Sequence, residues 1–305
     1  MNNLHRLIKR ASLGLLALPL IVLGSMAQAN DFPTAAPEEV GVSSDRLQRL
    51  SNTMQRYIDS NMLAGTVSLV SRNGKVIHVK SQGWKNKETG EKMTDDSIFV
   101  IMSMTKPIVS TALMMLYEEG RFLLTDPITD WIPELEGKQV VIEEGGVNYR
   151  KSAHRPITFR HVLSHTAGVD PSREVLTEEE LALLPRKATL EETLINRAPL
   201  PLSFHPGDDW QYGSSTDYVA LLVERISGQP LVDFLQEKIL DPLQMHDTSY
   251  IVPKDKVDRV AAVYSPSGPN QTIELSRAPE YRETTYFGGV AGLSSTVSDY
   301  WRFSQ

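Results

Sequence analysis

Two β-rich runs, Thr66 to Arg72 and Lys75 to Ser81, meet at Asn73-Gly74. An Asn-Gly pair takes the positive φ values of the tight turn whose twist matches the strands on either side. It therefore dictates an antiparallel hairpin early in the chain and excludes an all-helical fold. Upstream, Ser43-Ser44-Asp45 caps a helix whose Leu47, Leu50, Met54 and Ile58 keep one apolar face as far as Ser60-Asn61. Downstream, from residue 104 to about 240, the strong signals are nearly all helical, parted by proline loops such as Asp126-Pro127 and Ile132-Pro133. Leu176 to Arg186, Thr189 to Arg197 and a stretch from Ser214 or Ser215 to Ile226 read as helices, and Glu143 to Ser152 as an exposed polar loop. The order predicts an α+β fold of the sandwich type: an antiparallel sheet flanked by helices, with a helical lobe over about 107–285 and a cleft between lobe and sheet.

The first residues read as a processing signal. His5, Arg6, Lys9 and Arg10 form a basic start, Leu13 to Met26 an apolar stretch, and Ala27-Gln28-Ala29 a small-residue cleavage site. A signal peptide over residues 1–29 predicts export to the periplasm or beyond, with an uncleaved anchor as the competing reading of the same stretch. The chain has no cysteine, so neither a disulfide nor lipidation at a signal-peptide cysteine is open to it. Its formal net charge of −7, which becomes more negative once the basic leader is removed, argues against nucleic acid or anionic membrane surfaces as partners.

Ser103-Met104-Thr105-Lys106 places a hydroxyl and an amine three residues apart on one helical face. The pair reads either as a helix-start serine followed by a solvated lysine or as a nucleophile with its base built in. The apolar run Ile98 to Met102 before it, and the helical repeat of Val109, Leu113, Leu116 and Tyr117 after it up to Gly120, favour the second reading. In Trp210-Gln211-Tyr212-Gly213-Ser214 a tyrosine stands at a loop-to-helix junction. There it is either a core tyrosine bonded to backbone or a phenol that opens into a cleft and shares proton transfer with a lysine.

With these blocks in order, the chain resembles the serine β-lactamase and penicillin-binding-protein superfamily, in particular its class C-like branch with the family VIII carboxylesterases. The matching segments are Phe99 to Pro107, Ile157 to Gly168, Phe204-His205-Pro206-Gly207 through Tyr212, Ile239 to Thr248 and the glycine run from Gly288. The resemblance implies a β-lactamase/transpeptidase-like fold, Ser103 as acylated nucleophile, Lys106 as its partner amine and Tyr212 as the tyrosine of the second box. Ser214 stands where β-lactamases proper place a substrate-binding asparagine, and a serine lacks the two-sided amide. That departure shifts the expected substrate toward esters. The third box of the family has no match after residue 292, so the resemblance implies that residues 30–305 form an incomplete hydrolase domain whose remaining strands, with one oxyanion donor, lie further on.

The resulting expectation is a serine hydrolase, a carboxylesterase for short-chain esters. The alternatives are a class C-like β-lactamase or D-Ala-D-Ala carboxypeptidase acting on β-lactam or peptidoglycan-like substrates, and a non-catalytic binding module of the same fold. No cofactor is expected, since neither a phosphate loop nor a dinucleotide motif occurs. No metal is expected either: His161 and His165 have helical zinc spacing, but Val162 stands where a metalloprotease carries glutamate, and both histidines are read as structural.

Overall fold

Ser43 accepts a hydrogen bond from the Arg46 N–H and so starts α1 (Ser44–Asp59), the first helix of a computed structural model that describes residues 32–267 and 272–305. The leader read at residues 1–29 lies outside the described residues. The Asn73-Gly74 hairpin forms as its sequence requires: β1 (Gly65–Arg72) pairs antiparallel with β2 (Lys75–Asn86) in a register that sets Val67 opposite Ser81. β2 runs on to meet the short β3 (Glu91–Lys92), giving a three-stranded sheet in the order β1-β2-β3. The free edge of β1 borders a groove of about 540 Å³ lined by Phe99, Ile101, Met104, Val297 and Tyr300.

β4 (Phe99–Val100) leads through a 3₁₀ turn, Met102–Met104, into α2 (Thr105–Glu118). Pro107 is tolerated in α2 because the first-turn N–H groups have no intrahelical partner to lose. The polar segment that follows is not a loop. Residues Gln139–Glu144 form β5 and Val147–Ser152 form β6, an antiparallel hairpin closed by Gly145 and Gly146 at φ 63° and 80°. On β6 the exposed Val147 and Tyr149 are mixed with polar Asn148, Lys151 and Ser152, so no alternation marks a half-buried strand, and the paired glycines are the turn signal.

Then come α3 (Phe159–Leu163), α4 (Glu178–Leu181), α5 (Leu190–Arg197), α6 (Ser215–Ser227) and α7 (Leu231–Leu235). α4 is much shorter than the helix expected over Leu176 to Arg186. α5 and α6 match their predicted spans, with the Thr189/Glu192 capping box starting α5 and Gly228 in the left-handed region ending α6. A second hairpin, β7 (Val263–Ser267) with β8 (Thr272–Arg277), also lies in the span expected to be helical. The chain returns as β9 (Ser294–Ser295), which pairs with β4 so that Phe99 faces Ser295, and continues into α8 (Val297–Phe303).

The core lies around α6. Six successive residues, Tyr218 to Val223, are buried, as expected of a helix enclosed on all sides. Ile108, Val109, Ala112, Leu113 and Leu116 of α2 belong to the same cluster. Below them Phe122 stacks on Phe159 at 3.8 Å between centroids, and Trp131 meets Phe159 edge-on at 5.0 Å. Thus α2, which carries the Ser-x-x-Lys pair at its start, is anchored along its length in the main core.

Candidate active site

Ser103 sits in the 3₁₀ turn before α2 and Lys106 in the first turn of the helix. Met102, just ahead of the serine, is in the left-handed region at φ 47°. A non-glycine residue is held there only by its surroundings, at a cost of about 1–2 kcal/mol, and such strain concentrates at functional sites. Lys106 is 8% exposed. Its Nζ donates to Ser103 Oγ at 3.1 Å and to the Val290 carbonyl at 3.0 Å. The amine is therefore not waving in solvent: it is fixed on the serine by a backbone acceptor from the far end of the chain.

That acceptor is itself held. The Val290 N–H donates to Asp217 Oδ1 at 3.0 Å, and the Tyr286 hydroxyl donates to Asp217 Oδ2 at 3.1 Å. Asp217, on α6, is only 5% exposed, and burial pushes its carboxyl above the ordinary value against the hydrogen bonds from Val290 and Tyr286. The same returning segment clasps the turn elsewhere: Ile101 N–H donates to the Leu293 carbonyl at 3.0 Å, and the Tyr300 hydroxyl to the Met104 carbonyl at 3.2 Å.

Tyr212 completes the group. Its ring lies 4.6 Å from Lys106 Nζ, and with 52% of its surface exposed it opens outward rather than filling the core. Hydrogen bonding with the Lys106 amine, then with the Ser103 hydroxyl, draws the phenol below its ordinary value, and the lysine charge acts in the same direction. His165 packs against it with ring centroids 4.9 Å apart. Burial, then the Lys106 charge, lowers the His165 imidazole, with Asp170 opposing. The structure thus brings Ser103, Lys106 and Tyr212 together around one amine.

Comparison with known proteins gives the family. The family model described as Beta-lactamase matches residues 50–305. This chain belongs to the beta-lactamase family. It is 32% identical over 256 residues to Protein Rv1367c of Mycobacterium tuberculosis, covering 82% of this chain and 64% of that protein. It is 27% identical over 278 residues to esterase EstB of Burkholderia gladioli, covering 83% of this chain and 68% of the esterase. Among solved structures, EstCE1, a hydrolase with promiscuous acyltransferase activity, superposes with a TM-score of 0.70 at 25% identity, over 84% of this chain and 71% of the other. The chain therefore spans about two thirds of the length of the relatives it matches.

Within this beta-lactamase family site, Ser214 is placed differently from the other three residues. Its hydroxyl donates to Asp170 Oδ1 at 2.6 Å and its N–H to Asp170 Oδ2 at 2.7 Å. The side chain is thus engaged behind the tyrosine loop. His161 accepts from the Thr158 N–H through Nδ1 at 3.1 Å and caps α3, a structural role. His165 has a different setting: it faces Tyr212 from a left-handed backbone at φ 59°, and its Nδ1 is buried without a hydrogen-bond partner. Asp170, Asp217 and the Val290 carbonyl were not singled out from sequence. An aspartate gives no signal of its own, and a carbonyl none at all. Among the described residues no group of three or more His, Cys, Asp or Glu side chains could hold a metal ion.

Proposed function

We propose that this chain carries a serine hydrolase site that forms an acyl-enzyme on Ser103 and acts as a carboxylesterase on short-chain esters. The observation that carries the reading is the buried Lys106 amine bonded at once to Ser103 Oγ and to a fixed carbonyl, with the Tyr212 ring 4.6 Å from the same amine. A weak nucleophile is activated by just such an adjacent proton acceptor. In the first step Ser103 Oγ bonds to the ester carbonyl carbon, its proton passes to the Lys106–Tyr212 pair, and the alcohol leaves with that proton. Water then attacks the acyl carbon, gives up a proton to the same pair and releases the acid and the serine hydroxyl. The Tyr212 ring lies 4.6 Å from the Lys106 amine, so the two groups can share the proton taken from the serine.

The preference for esters is supported by Ser214, whose hydroxyl is turned to Asp170 and offers no amide to a lactam side chain. The relatives whose printed names are esterase and hydrolase agree with it. Export on the leader at residues 1–29 belongs to the same proposal, and mature protein whose N-terminus is Asn30 is its expected signature.

Ser103→Ala in the full polypeptide is expected to lose p-nitrophenyl butyrate hydrolysis by about 10³-fold or more and to lose labelling by a fluorophosphonate probe. A variant that hydrolyses the ester at the parent rate removes the assignment. Nitrocefin turnover exceeding that of the ester moves the site to a β-lactamase or D-Ala-D-Ala carboxypeptidase. A parent protein that neither turns over nor labels is a binding module.

A further inference from the structure

Tyr212 is more than half exposed, so packing does not fix its phenol. Its loop is fixed from behind by the segment His165 to Asp170. The Gln211 N–H donates to the His165 carbonyl at 2.9 Å, the Gly207 N–H to the Thr166 carbonyl at 2.8 Å, and the Ser203 N–H to the Gly168 carbonyl at 2.7 Å. At the end of this ladder Asp170 takes four bonds. Its carbonyl accepts from Gln211 Nε2 at 2.8 Å and from Ser203 Oγ at 2.9 Å, and its carboxylate accepts the N–H and the hydroxyl of Ser214. The residues gripped, 211 and 214, bracket the tyrosine. Between them Gly213 lies so close that a Cβ there would collide with Asp170 Oδ2.

We propose that Asp170 is a positioning residue that holds Tyr212 against Lys106 and Ser103 by clamping both ends of the tyrosine's loop. The proposal rests on the serine hydrolase reading above. A carboxylate accepting an N–H and an O–H at once is a strong, directional grip. Around Tyr212 the charged and titratable groups are Lys106 from α2, His165 from the adjoining loop and Asp170 behind it. On its own loop, Asp208 is paired with Arg155 and Asp209 accepts from the Trp210 N–H. Substitution at 170 keeps the carbonyl grip on Gln211 and releases the Ser214 end alone, and with that end free the phenol leaves the amine that lowers its proton affinity.

The test uses Asp170→Asn and Asp170→Ala in the full polypeptide, with p-nitrophenyl butyrate, across the pH range. The alanine variant is expected to lose kcat by about 10²-fold, the size of effect that an ångström-scale misplacement produces, and the asparagine variant, which keeps one acceptor, about 10-fold. KM changes little, because the Asp170 carboxylate is taken up by the Ser214 N–H and hydroxyl behind the tyrosine loop. The acid limb of the rate profile moves to higher pH as Tyr212 returns toward its ordinary value. A role through charge alone moves that limb to lower pH, since removing an anion eases ionisation nearby, and a general loss of stability does not move it. A limb that stays or falls, or a kcat within about twofold of the parent, overturns the proposal.

If both variants fail to fold, Ser214→Ala decides. It keeps the backbone bond and removes only the hydroxyl bond, so a kcat loss of about threefold with the same upward shift supports the clamp. A rise in KM alone assigns Ser214 to the substrate instead and overturns it. When the parent reacts and Ser103→Ala does not, parent-like Asp170 variants defeat the clamp and leave the hydrolase reading standing. A parent that never reacts removes both.

Discussion

At residue scale the site depends on a single amine with three neighbours. Ser103 supplies the hydroxyl, Val290 the carbonyl and Tyr212 the phenol, and Lys106 lies between them with 8% of its surface exposed. Tyr212→Phe keeps the ring over the amine and deletes only the hydroxyl. It is expected to lower kcat by about 10²–10⁴-fold, the usual contribution of a positioned proton acceptor, with little change in KM. The sign of the pH effect follows from the lowered phenol: the deprotonated form is the acceptor, so activity rises with pH through a value below that of free tyrosine. In Tyr212→Phe that limb disappears, which a pH series of kcat/KM on the same ester reads directly. A residual profile identical to the parent's would assign proton transfer to Lys106 alone. The Ser103–Lys106 contact was readable because three residues on a helix is a distance. Tyr212 was readable only through the resemblance, since a loop tyrosine has no periodicity that says where its ring goes.

At the scale of elements, the returning strand β9 is only two residues long, yet it pairs with β4 immediately before the turn that carries Ser103. A clamp of charged residues supports that short pair. Arg259 donates to Asp247 Oδ1 at 3.0 Å and Oδ2 at 2.6 Å and also to the Asp96 carbonyl. Lys256 adds a bond to Asp247 at 2.8 Å. The adjoining Ser249 exchanges backbone bonds with Ser294 of β9. Burial acts to raise the Asp247 carboxyl, but the hydrogen bonds from Arg259 and Lys256, with their charges, outweigh it and hold the carboxyl below its ordinary value. Its folded pKa lies below the unfolded value of about 4, so the stabilisation is complete above that value and is lost as pH falls through the folded one. Asp247→Asn is expected to cost about 2 kcal/mol at neutral pH, and the gap in Tm between variant and parent is expected to close in acid. A gap that stays constant in acid would place the clamp's contribution elsewhere. Legibility at this scale depended on turn chemistry. Asn73-Gly74 announces its hairpin, whereas Gly145-Gly146 lies between the acidic end of β5 and a β6 whose apolar residues face outward, so the segment reads as a loop, and β4 and β9 are too short for any pattern.

For the molecule as a whole, the site and the core are one structure. The helix α2, with Lys106 in its first turn, packs on α6, α6 begins just after Tyr212 and carries Asp217, and both helices share a cluster with the Phe122, Trp131 and Phe159 rings. Helical periodicity exposed the apolar faces of α2 and α6 in the sequence. Which faces meet is a long-range fact that sequence spacing does not contain. Phe159 is the informative position, because it is fully buried and begins α3, the helix that runs directly into the His165 platform behind the tyrosine loop. Phe159→Ala leaves a ring-sized cavity between two aromatic neighbours and is expected to cost about 3–5 kcal/mol. Against a total stability of about 5–15 kcal/mol, that loss is large enough to shift the urea midpoint strongly at unchanged slope. Because the tyrosine platform grows out of the same buried helix, any p-nitrophenyl butyrate hydrolysis and the native tryptophan fluorescence should be lost together along the urea titration. Activity that disappears well before the fluorescence change would show that the platform unfolds as a unit of its own, and that the core does not hold Tyr212 on Lys106.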